Sequence, residues 1–136
     1  MKQHMRIAAL AAFLSAGAAW AQSPADALRG HEADARAADP AFAGFSVERG
    51  AEFFQARQGG EWSCASCHTF DPRADGRHVV TGKALAPLAP ARSAARFSDP
   101  AKTEKWFKRN CNDVLGRECT PAEKGNVLAW LVSLRP

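Results

Sequence analysis

"CASCH", Cys64 to His68, is the stretch on which the reading of this chain turns. Two thiols at this spacing fit a thioredoxin-like redox pair or a plain disulfide. They also fit covalent attachment of haem c, in which both sulfurs reach the vinyl groups of one porphyrin. A turn of helix between Cys64 and Cys67 sets that separation, and His68, following at once, lies beneath the iron as the proximal ligand. A thioredoxin-like site expects a βαβ setting, and no convincing strand pattern surrounds this one. The motif occurs once, so one covalent haem c is expected, held by Cys64, Cys67 and His68.

The compartment agrees with this reading. The start "MKQHMRIAALAAFLSAGAAWAQ" places Lys2 and Arg6 before an apolar run from Ile7 to about Ala19, then Ala19-Trp20-Ala21. That order predicts a secretory signal peptide, residues 1–21, cleaved after Ala21, and a periplasmic location. The run falls short of the roughly 18–20 residues a membrane span needs, so an anchor is not expected. The remainder, residues 22–136, is one small domain with a helical extension over 22–44.

Charge excludes one class of partner. Of 18 basic residues two lie in the leader, leaving 16 against 14 acidic ones, with none of the clustering of a nucleic-acid binder. The balance is uneven, however. Residues 22–72 carry 4 basic and 8 acidic side chains, and residues 73–136 carry 12 and 6. The basic half can steer an acidic partner or neutralise the carboxylates of a cofactor.

Helix signals frame the motif. Ser23-Pro24 opens a helix reaching about Ala38, and Ser46 caps a second, "VERGAEFFQAR", with Val47, Ala51, Phe53 and Phe54 as its apolar stripe. Asp99-Pro100 starts "DPAKTEKWFKRN". Thr120, Pro121 and Glu123 form a capping box ahead of the last helix, where Val127, Leu128, Leu131 and Leu134 share a face. Between Thr69 and Ser98 no period is sustained, and ordered loop is expected there. A haem supplies the core such a loop lacks. Pro87, in "LAPLAP", is placed to carry or position the carbonyl that accepts the second ring nitrogen of His68. With "GAEFF" ahead of "CASCH", the pattern resembles a class I cytochrome c: an all-α fold wrapped around one haem, its terminal helices packed together.

The sixth iron ligand is open from the residues alone. Both methionines, Met1 and Met5, lie in the leader, so His/Met coordination is impossible in the processed chain. That leaves His31, on a helix read as surface, His78, a lysine such as Lys105 or Lys108, an amide oxygen, or nothing. "WFKRNCNDVLGRECT", Trp106 to Thr120, reads as a short loop between helices. In an exported protein Cys111 and Cys119 are expected to pair, the alternative being two inert buried thiols. Asn110 and Asn112 flank Cys111, and capping the helix end or making a turn is the commonest work of asparagine.

"GKALAPLAP" and "RFSDPAKTEKWFKRNCNDVLGRECTPAEKGNVLAWL", together with the single "CASCH", resemble the sphaeroides haem protein family of monohaem cytochromes c from about Phe45 to Leu134. The resemblance implies that Asn110 is the distal ligand of ferric iron and that Cys111 and Cys119 form the disulfide. It also implies that the weak Asn ligand is displaced on reduction, giving a high-spin site for O₂, NO or CO, and that the redox partner is a dihaem cytochrome c linked to a membrane cytochrome b. Two other readings stand beside it. One is a plain electron carrier with His78 or a lysine as a strong sixth ligand. The other is an oxidoreductase reducing O₂, NO or peroxide, for which the sequence offers no obvious distal acid or base; Arg109, the one nearby candidate, equally fits a solvated helix-end cation or a propionate partner.

Overall fold

The computed structural model describes residues 22–136; the leader and its cleavage site lie outside the described residues. Five helices run in order: α1 (Pro24–Ala38), α2 (Val47–Gln55), α3 (Cys64–His68), α4 (Pro100–Leu115) and α5 (Pro121–Ser133). The expected all-α architecture is what forms. Each long helix starts where its capping residue stands. Asp26 and Ser23 exchange hydrogen bonds at α1, Asp99 accepts from the Lys102 amide at α4, and Thr120 and Glu123 close a capping box at α5.

The core lies where α1 and α2 cross α5. Phe54, Val127, Trp130 and Leu131, with Ala65 of α3, form its centre, and the Phe54 and Trp130 rings stand 5.0 Å apart. Burying side chains of this size contributes about 1.5–3 kcal/mol each. The α2–α5 crossing is close because Gly50 has no side chain: a Cβ there would stand 2.0 Å from the Asn126 carbonyl oxygen. Asn126 also turns its side chain back, Oδ1 accepting from the Ser46 amide at 2.8 Å, 80 residues away in sequence.

Three expectations need correction. His31 is not exposed: α1 lies on the surface as expected, but Ala27, His31 and Ala35 recur every four residues and form its buried stripe. The stretch after the motif is not loop throughout. Strands β1 (Gly76–Arg77) and β2 (Ala84–Leu85) pair antiparallel, Gly76 opposite Leu85, and the rest is ordered by hydrogen bonds such as those the Leu88 and Ala89 amides donate to the Pro72 carbonyl. Finally, α4 does not end near Asn110. It continues to Leu115, where Gly116 takes the left-handed conformation (φ +68°) that stops it, so both asparagines and Cys111 are helical.

Candidate functional site

The motif is a single helical turn braced from both ends. At its start the Ser66 hydroxyl accepts from the Ser63 amide at 2.9 Å, and Ala65 is sunk into the core. At its end Thr69, at φ +63°, swings the chain away, its hydroxyl donating to the Asp71 carbonyl at 2.6 Å. The β hairpin then returns against the motif. Gly76 is required there, since a Cβ would stand 2.2 Å from the Cys67 carbonyl oxygen. A cleft of about 650 Å³ opens beside Cys67, between Ser66, Thr69, Asp75, Arg77 and Leu85.

Cys64 and Cys67 are free thiols, whereas Cys111 and Cys119 are bonded to each other, Cα atoms 5.6 Å apart. His68 is half-buried, 6.3 Å from the Phe54 ring. Burial, and after it the Arg96 guanidinium, holds its imidazole below the usual value, leaving the neutral ring a metal ligand must be. The Pro87 carbonyl accepts from Arg96 Nε at 2.9 Å, and Ala86 accepts from the same guanidinium at 3.0 Å. Arg96 therefore clamps the loop beside His68. Sequence reasoning missed it, because nothing in "PARSAARFS" separates this arginine from Arg92.

On α4, Phe107, Asn110 and Cys111 share one face at helical spacing. Phe107 packs at the edge of the core cluster that holds Phe54, Ala65, Val127, Trp130 and Leu131. The loop before the motif meets the last turn of α4, Gly60 lying so close to the Val114 carbonyl that a Cβ would stand 2.6 Å away. The two asparagines differ. Asn112 is exposed and donates to the Lys108 carbonyl at 2.7 Å, while half-buried Asn110 makes no side-chain hydrogen bond among the described residues. No hydrogen bond joins Asn110 to His68 among the described residues.

Of the other proposed ligands, all but Lys105 have partners elsewhere. His78 closes the hairpin tip, its Nδ1 accepting from the Val80 and Thr81 amides at 3.2 and 3.3 Å. Lys108 pairs with Glu118 at 3.1 Å, and Lys105 is exposed. His31 is buried against α4, Nε2 3.5 Å from Glu104 and its ring edge-on to Phe107 at 5.7 Å.

These residues fit a covalent haem. Two unpaired thiols precede a neutral, half-buried imidazole. Phe53, Leu88, Phe97 and Phe107 pack on the core yet stay partly uncovered, an apolar wall suited to a porphyrin face. Among the described residues no group of three or more His, Cys, Asp or Glu side chains could hold a bare metal ion.

Comparison with known proteins points the same way. A family model described as a domain of unknown function, DUF1924, matches residues 40–131. The chain is 46% identical over 115 residues to the cytochrome c-type protein SHP of Cereibacter sphaeroides, covering 82% of this chain and 84% of that protein. It is 42% identical over 103 residues to cytochrome c'' of Methylophilus methylotrophus, covering 73% and 72%. The solved structure of oxidised SHP, an oxygen-binding cytochrome c, superposes with a TM-score of 0.74 at 44% identity, over 83% of this chain and 98% of that one.

Proposed function

Because the chain belongs to the sphaeroides haem protein family of c-type cytochromes and carries one covalent haem c, we propose that it is a periplasmic electron acceptor that binds a small diatomic molecule when reduced. When bound, the haem supplies a one-electron redox centre with two axial positions. Cys64 and Cys67 tether it, and His68 is the proximal donor. Asn110 is the distal donor. Its amide oxygen is neutral and hard, a better partner for ferric than for ferrous iron, so it holds its position in the oxidised protein and yields it on reduction. The observation that carries this reading is the contrast on α4: Asn112 spends its amide on the Lys108 carbonyl, while the Asn110 amide is uncommitted on the face it shares with Phe107.

Asn110→Ala is the test. The ferric spectrum should change, and azide should bind the ferric protein about tenfold faster, as for a site about 90% blocked in the wild type. Asn112→Ala should change neither. Wild-type ferrous protein should be high-spin and bind CO rapidly. A low-spin ferrous form indifferent to CO, or an unaltered Asn110→Ala spectrum, removes Asn110 from the site.

The electron donor meets a basic surface. Lys102, Lys105 and Arg109 stand exposed on α4 with no ion pair among the described residues. Between them Trp106 is 45% exposed, the Arg109 guanidinium 5.5 Å over its ring. An aromatic ringed by cations suits an acidic redox protein, for which a dihaem cytochrome c linked to a membrane cytochrome b is our candidate. Lys105→Glu is expected to slow reduction by such a partner several-fold at low ionic strength. Salt should shrink the difference, because exposed charges are screened beyond about 8–10 Å; a difference that persists at high salt removes steering as its cause.

A further inference from the structure

α1 lies outside the residues the family model matches, and its one buried ionisable side chain has no part in the site described above. His31 is 6% exposed. Three helices meet at it. From α4, Glu104 Oε1 stands 3.5 Å from Nε2, and the Phe107 ring is met edge-on at 5.7 Å with the planes 89° apart. From α5, Lys124 Nζ holds the second Glu104 oxygen at 2.5 Å. Asp34, one turn along α1, is the remaining charge that faces it.

Phe107 precedes Asn110 by three residues and Cys111 by four, so the ring that His31 touches and the Asn110 amide project from one face of a continuous helix. We propose that His31 is a positioning residue for the distal side: neutral, it seats α1 on Phe107 and fixes the register of α4, and protonated, it unseats α4 and loosens the hold of Asn110. This rests on the reading of Asn110 as the distal ligand.

The charges decide the direction. Burial disfavours the imidazolium most, Lys124 opposes it, and Glu104 and Asp34 favour it, with a net shift downward. Glu104 already holds Lys124 with one of its two oxygens, and a side chain buried this deeply has little water to solvate an imidazolium. The packed state therefore binds fewer protons than the open one. Its advantage is complete above the ordinary histidine value of about 6.5 and is lost as pH falls below it.

The test uses ferric holoprotein and azide between pH 7.5 and 5.5. Wild type should bind azide about fivefold faster at pH 5.5, on a one-proton profile. His31→Phe, which keeps a ring against Phe107 but cannot take a proton, should stay at the pH 7.5 rate throughout; His31→Leu carries the same test should the Phe variant not accumulate. Glu104→Gln should raise the rate already near neutrality if the Glu104 bridge to Lys124 helps seat α4. Asn110→Ala should be fast and flat with pH. If Asn110→Ala leaves the ferric spectrum unchanged, the ligand reading fails and this proposal with it. If Asn110→Ala is fast but the wild-type profile survives His31→Phe, only the role of His31 is overturned. A lowered Tm in His31→Phe with an unaltered azide profile likewise reduces His31 to packing.

Discussion

Gly50→Ala is expected to lower the stability of the holoprotein by about 3 kcal/mol, near the upper end of what overpacking usually costs. Local preference argues the other way, since alanine is favoured over glycine in a helix by about 1 kcal/mol. Packing wins because the atom in the way is backbone. The new methyl would stand 2.0 Å from the Asn126 carbonyl oxygen and 3.0 Å from Trp130 Cβ, and neither can swing aside as a side-chain tip could. Asn126 is further pinned by the Ser46 amide. Relief requires α2 to draw back from α5, which opens the Phe54–Trp130 contact at the centre of the core. Thermal unfolding should show Tm falling by roughly 10 °C for a domain of this size. Gly30→Ala is the control. A Cβ there meets nothing within 4 Å, so it should be neutral or stabilise by up to about 1 kcal/mol. Equal Tm values for the two variants would mean that the helices do not cross this closely.

Replacing Cys111 and Cys119 together by serine is expected to cost about 2.5 kcal/mol, the chain entropy released when a nine-residue loop is no longer closed in the unfolded state. Little native structure should be lost with it. Arg117, inside the loop, grips Glu123 with two hydrogen bonds of 2.7 and 2.8 Å, and Glu123 also accepts from the Thr120 amide. That grip holds the Glu123 carboxyl below its ordinary value, chiefly through the Arg117 hydrogen bond. The loop thus stays anchored to α5 without the bridge, and α4 still ends at Gly116. The urea midpoint should fall while the ferric spectrum is retained. A spectrum that changed as far as that of Asn110→Ala would instead make the bridge a direct support of the distal residue.

What could be read in advance was local. "CASCH" is legible because covalent attachment demands its own spacing, and the caps at Ser23, Ser46, Asp99 and Thr120 are legible because each satisfies amides within three residues of itself. The end of α4 was also local and was missed. Leu115-Gly116 is an ordinary helix stop, but "NCND" above it reads as turn-forming when the Asn112–Lys108 bond is out of view. Arg96 and His31 belong to another category. Their roles depend on which carbonyl or ring arrives from elsewhere in the chain, and neither two arginines four residues apart nor a histidine between a glycine and a glutamate announces that. The hairpin pairs only two residues on each side, too few for an alternating pattern to register.

The dependence of both early helices on α5 bears on how the protein comes into being. α1 and α2 are made well before the α5 surface they pack against, and the Ser46–Asn126 bond joins points 80 residues apart. Closing so long a loop is slow. The nascent chain therefore stays open through most of its synthesis. An open chain is what a translocation channel accepts, and one in which Cys64 and Cys67 are reachable by the machinery that attaches haem. Locking waits for the final helix to arrive.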